Sequence, residues 1–159
     1  LIKIDIASKE ISLNKTDKLT PILFLQHPNF TMETPENNLM LIKLHVPLKL
    51  TKMVLAVLPN TTDDREGEKC TLFSWGWSRQ SYQMGKSMTI KVTKKMFCAG
   101  SSISTIIPCE EMTAAPILCQ NQLYGILSWS KGCALRGDTG YYTKISHYTD
   151  WILKVIRTY

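Results

Sequence analysis

The chain has 159 residues, 44% hydrophobic and 20% charged, and its 19 lysines and arginines against 13 acids leave a net charge of +6. That length favours one domain with a core of its own, and the composition excludes a disordered or low-complexity chain. The longest apolar runs, LMLI (39–42) and MVLAVLP (53–59), fall well short of the roughly 18 residues that span a bilayer, so no membrane span is expected.

Residues 1–6 alternate strictly, with Ile2, Ile4 and Ile6 on one face and Lys3 and Asp5 on the other, which reads as a half-buried strand. Further strands are expected at PILFLQ (21–26), LMLIKL (39–44), VLAVL (54–58), CTLFSW (70–75), MTIKV (88–92), PILC (116–119), QLYGILSW (122–129) and GYYTKI (140–145). Gln120-Asn121 joins two of them as a tight hairpin. The polar run NTTDDREGEK (60–69) reads as a linker between a smaller front part (1–59) and a larger back part (70–146). Only the C-terminus changes period. Tyr148, Trp151, Ile152, Val155 and Ile156 recur at helical spacing and predict an amphipathic helix over 147–157. The whole is an all-β body closed by one C-terminal α-helix.

The basic residues Lys86, Lys91, Lys94, Lys95, Lys131 and Arg136 are not interleaved with stacking aromatics and do not share a reading helix, so no nucleic acid is expected as a partner. Five cysteines accompany three glycosylation sequons, at Asn14, Asn29 and Asn60. Together they favour the secretory pathway, a secreted or extracellular location and disulfide bonds. No CxxC pair exists and His27, His45 and His147 are scattered singly, so neither a metal site nor a cofactor is expected. Leu1 opens the chain without a methionine or signal peptide, and a fragment or an alternative product of a longer precursor is expected.

Several stretches together carry a resemblance: QHPNF (26–30), NNLMLIKL (37–44), SWG (74–76), MFCAG (96–100), the run from Cys109 to Cys119, GILSWSKGCA (125–134), GYYTKI (140–145) and HYTDWILKVI (147–156). In order and spacing the chain resembles the trypsin-like serine proteases. The resemblance implies a chymotrypsin-like double β-barrel, incomplete here, with a partial first barrel and a shortened second one. Missing strands are expected to reopen barrel edges and to leave PILFLQ and LMLIKL exposed and prone to aggregate.

Carried over position by position, the family's C-x-G-D-S-G-G-P becomes C-E-E-M-T-A-A-P in this chain. Thr113 then stands at the nucleophile, Glu111 at an oxyanion-hole glycine and Met112 at the aspartate of the activation ion pair. Ala114 and Ala115 fill the following two glycines, and Asn38 stands at the triad acid. A carboxylate at 111 opposes a developing oxyanion, an amide at 38 cannot stabilise an imidazolium, and no Ala-Ala-His-Cys motif supplies the base. Ile107 occupies the base of the substrate pocket without a charge. Ser128, Trp129 and Ser130 retain the strand that pairs with a substrate backbone, so peptide binding by strand addition is conceivable.

The resemblance also implies disulfides Cys70–Cys119 and Cys109–Cys133, and leaves Cys98 as a thiol whose usual partner has no counterpart here. These residues lead to the expectation of a catalytically inactive homologue, a pseudoprotease rather than an enzyme, with a binding or regulatory role toward a protein or peptide partner. Two alternatives stand beside it: a serine-type endopeptidase-like hydrolase using Thr113 as nucleophile, and a non-functional truncated gene product.

Overall fold

The computed structural model describes residues 21–47, 58–59, 68–74, 77–85, 93–101, 114–120, 122–130 and 132–159. The strands read at 1–6 and 88–92 lie outside them, and so do the strand read at 54–58 and the linker at 60–69 apart from their last residues.

PILFLQ extends as β1 (Pro21–Gln26) because every second residue has something to bury. Pro21, Leu23 and Leu25 are half-buried, while Ile22, Phe24 and Gln26 face out. It pairs antiparallel with β2 (Met40–Leu44), setting Phe24 opposite Ile42 and Leu25 opposite Leu41. These two strands form a sheet of their own. Leu41 rests on a cluster of Leu39, Ile145, Tyr148 and Ile152. Ile22, Phe24, Met40 and Ile42 are each 41–51% exposed, so the apolar exposure expected of these two runs is found on their outward-facing positions.

The back part is a barrel. β3 (Lys69–Ser74), β4 (Trp77–Gly85), β5 (Met96–Gly100), β6 (Pro116–Cys119), β7 (Gln122–Ser130) and β8 (Gly140–Lys144) run in the spatial order β3-β4-β5-β8-β7-β6. β6 returns to β3 through Thr71 opposite Leu118 and Leu72 opposite Ile117. The reopened edge expected here is therefore corrected: each of the six strands has a paired neighbour on either side over part of its length and the barrel closes. The strand that completes it is β4, WSRQSYQMG, which periodicity did not single out. Its serines and glutamines carry little strand propensity, and neighbouring ladders on β3 and β5 hold it extended.

Leu72, Ile117 and Tyr142 are fully buried in the barrel core. Phe97 lies flat on Tyr142, with ring centroids 5.1 Å apart and planes 9° from parallel, and meets Tyr124 edge-on at 5.2 Å. Gly125 makes room for this stack, since a Cβ there would stand 2.5 Å from the Phe97 ring and 3.0 Å from Cβ of Tyr142. Gln120 turns the β6–β7 hairpin with φ +50°, the left-handed conformation such a tight connection demands.

The C-terminus begins with a 3-10 turn, Ile145–Tyr148, and continues as α1 (Thr149–Thr158). Ile152 is buried against Leu39, Ile145 and Tyr148, with Trp151 packed beside them. Ile156, expected on the inward stripe, is 62% exposed because the last turn of the helix runs clear of the core. Among the described residues, no helix is long and apolar enough to cross a membrane.

Candidate functional site

Asn37 and Asn38 sit where the loop from β1 enters β2. Asn37 adopts φ +59°, a conformation that asparagine tolerates better than most side chains. Its backbone N–H donates to the Tyr148 hydroxyl at 3.0 Å, and that hydroxyl donates back to Asn37 Oδ1 at 3.0 Å. Asn37 Nδ2 donates to the carbonyl of Asn29 at 3.1 Å. With Asn37 pinned in this way, Asn38 is aimed across the molecule at β7. Its Nδ2 donates to Ser128 Oγ at 2.8 Å, and its carbonyl accepts from Thr143 Oγ1 on β8 at 3.0 Å. Two residues 90 positions apart are thus brought together, and the bridge joins the front sheet to the barrel.

β7 carries the rest of the site. Over Gln122–Ile126 it pairs with β6, and over Gly125–Ser130 with β8. Leu127 continues the first ladder by exchanging backbone bonds with Ala114 and Ala115. Beyond Leu127, among the described residues, no strand lines that edge of Ser128, Trp129 and Ser130. Trp129 is 45% exposed and leans on Tyr141, ring centroids 5.3 Å apart. Ser130 Oγ donates to the carbonyl of Gly132 at 3.1 Å, closing a small turn at the strand's end. A half-exposed indole on a strand that, among the described residues, has a partner on one side alone beyond Leu127 suits an extended peptide, with amides for the ladder and a flat apolar surface for a side chain. Thr143 and Tyr141, which brace Asn38 and Trp129, were not singled out from the sequence, although both lie in GYYTKI.

Ile107, Cys109, Glu111, Met112 and Thr113 lie outside the described residues, as do Asn14 and Asn60. Asn29 is exposed at the turn after β1. Cys70 and Cys119 are bonded to each other and join β3 to β6. Cys133 is also disulfide-bonded. Cys98 is a buried thiol packed with Met96 and Tyr141.

Immediately after the Thr113 position, Ala114 holds φ +57° with its N–H on the carbonyl of Leu127 at 3.2 Å. The left-handed conformation crowds a Cβ against the following carbonyl, at a cost of roughly 1–2 kcal/mol in an L-residue, whereas glycine adopts it without penalty. Ala114→Gly is expected to stabilise the fold by about 0.5–1 kcal/mol after the extra entropy of an unfolded glycine is subtracted. A urea melt of the variant at neutral pH checks this, and a fall in midpoint would contradict it.

His27 and His147 are committed elsewhere. His27 packs on Tyr148 and Trp151, with ring centroids 5.2 and 4.9 Å away, and His147 meets Tyr148 at 5.3 Å. Burial, and then the Lys95 ammonium, lowers the pKa of each imidazole below 6.5; His147 adds to the effect on His27, and Lys144 to that on His147, which Glu36 opposes. Burial likewise raises the Tyr148 hydroxyl, opposed by the Asn37 N–H and helped by Glu36. Among the described residues, no cluster of three metal-ligating side chains is present.

A family profile described as Trypsin matches residues 3–152. Cationic trypsin-3 of Rattus norvegicus is 30% identical over 150 residues, covering 83% of this chain and 61% of that protein. Probable inactive serine protease 58 of Bos taurus is 32% identical over 152 residues, covering 84% and 63%. Kallikrein-related peptidase 10, solved as a complex with Zn2+, superposes with a TM-score of 0.74 at 28% identity over 89% of this chain and 74% of that one. The chain therefore spans 61–63% of the length of these two curated relatives. The expectation that it is not an enzyme is overturned by the company it keeps. Trypsins predominate among the relatives, and identities near 30% do not establish a loss of activity. The double-barrel remnant, the Asn38–Ser128 bridge between its parts and the match over 3–152 agree: the chain belongs to the trypsin family of serine proteases.

Proposed function

We propose that this chain engages an extended polypeptide along the open edge of β7, with the peptide backbone adding a strand beside Ser128–Ser130 and a side chain resting on Trp129. The observation that carries this reading is the edge itself: β8 holds one side of Trp129 and Ser130, and no described strand takes the other. Strand addition draws its affinity from main-chain bonds and its selectivity from alternate side chains. Ile107, at the position the family uses for the base of its substrate pocket, favours an uncharged side chain over lysine or arginine.

The trypsins among its relatives favour a second reading, hydrolysis of the engaged strand with Thr113 as the attacking hydroxyl. A buried disulfide is consistent with an oxidising, extracellular setting. In that setting Asn29, exposed in a turn, would be open to glycosylation, and the sequons at Asn14 and Asn60 are further candidates by sequence.

The test is a binding screen of extended peptides followed by backbone amide shifts at 128–130. Trp129→Ala is expected to weaken the best ligand by about tenfold, the ~1.4 kcal/mol of one aromatic contact. Perturbed amides confined to other strands would refute the edge. Labelling by a fluorophosphonate probe that disappears in Thr113→Ala would establish the hydrolytic reading, and labelling that persists would dismiss Thr113.

A further inference from the structure

The loop that carries Asn38 is held to the C-terminal elements by the Asn37–Tyr148 bonds and by one imidazole. His27 Nδ1 accepts a hydrogen bond from the backbone N–H of Asn29 at 3.2 Å, which requires that nitrogen to be unprotonated. From there the bonds run in series. The Asn29 carbonyl accepts from Asn37 Nδ2, Asn37 Oδ1 accepts from the Tyr148 hydroxyl, and the next residue, Asn38, reaches Ser128. The ring also lies between Tyr148 and Trp151, on the 3-10 turn and on α1. Its backbone N–H adds a bond to the carbonyl of Leu39, at the far end of the same loop.

The charges facing this ring are mostly of one sign. Lys95, in the turn before β5, reaches Asn37 Oδ1 at 3.4 Å and Glu36 at 3.9 Å. His147 on the 3-10 turn adds a second basic group, and Lys144 at the end of β8 acts in turn on His147. The acids on the packed elements are Glu36, already engaged by Lys95, and Asp150 in the first turn of α1.

We infer that His27 is an acid-sensitive latch: while its Nδ1 is neutral it locks the 27–39 loop onto the C-terminal helix and seats Asn38 on Ser128, and when protonated it releases both. A proton on Nδ1 sets two N–H groups against each other at Asn29 and places a second cation beside Lys95. The latch concerns folding of the loop and holds whether or not a peptide binds at β7.

The sign follows from the lowered affinity for protons. The folded state keeps His27 neutral below 6.5 while the unfolded chain protonates there, so the stability it carries is complete above 6.5 and is lost as pH falls through its lower folded-state value.

Imidazole C–H signals of the full chain, titrated by NMR from pH 8 to 5, test the latch. His27 is expected to titrate below 6.5, and the Asn29 backbone amide and the Asn38 side-chain amide are expected to shift with the same midpoint. Lys95→Gln should raise that midpoint. His27→Asn, which keeps an acceptor near Nδ1 but cannot protonate, should leave both amides flat over this range. If His27→Asn fails to fold, the unmodified chain decides by itself. A His27 midpoint at or above 6.5, or an Asn38 amide that does not follow it, would overturn the latch, and so would pH dependence that survives in a folded His27→Asn.

Discussion

Replacing Cys70 and Cys119 together with alanine is expected to lower the stability of the chain by about 4 kcal/mol, the loop-closure value for their separation of 49 residues. The position of the bridge makes the effect large. β3 and β6 close the barrel through only two paired positions, Thr71–Leu118 and Leu72–Ile117, and the disulfide stands next to both. Both sulfurs are buried, so truncation also leaves a gap in the core. Against a total of roughly 5–15 kcal/mol for a domain, such a loss removes from about a quarter to about four fifths of the margin. Urea denaturation followed by circular dichroism at neutral pH checks it. A midpoint unchanged from the parent chain would mean that the seam closes without its bridge.

Phe97→Ala is the second large effect, a loss of about 3–5 kcal/mol. Phe97 is sandwiched in the aromatic stack of Tyr142 and Tyr124 and fills the space that Gly125 leaves open. Removing the ring strips partners from two buried tyrosines and opens a cavity that the closed barrel cannot collapse, because each of the six strands is held by a neighbour on either side. Thermal unfolding of Phe97→Leu beside Phe97→Ala separates lost volume from lost stacking. Leucine should recover part of the loss, and an alanine variant as stable as the parent would show that the stack does not carry the core.

The two parts of the molecule were legible to different degrees. β1, β6, β7 and β8 lie within a residue of where alternation and turn residues put them, because each has one buried face and a Pro, Gly or Asn at its boundary. β4 was not legible, since serine and glutamine declare no face and the strand exists only through the ladders on either side. The helical stripe at 148–156 was real up to Val155, but whether Ile156 is covered depends on where the core ends, and periodicity does not carry that information.

The candidate site divides in the same way. Asn38 and the 128–130 strand could be singled out from motifs, yet their meeting at 2.8 Å required a closed barrel and a docked loop. Lys95, Asn37, Tyr148 and His27 gave no sign of belonging together, because hydrogen bonds between residues up to 111 apart leave no local pattern.

What the residues determined by themselves was the all-β character and the strands with a hydrophobic side, which follow from local spacing and side-chain type; the family was legible only as a resemblance carried by several motifs. Closure of the second barrel, the seating of Asn38 on Ser128 and the clustering of basic groups around Tyr148 were decided only in three dimensions. Each depends on which distant backbones come within hydrogen-bonding reach, and chain order alone does not set that distance.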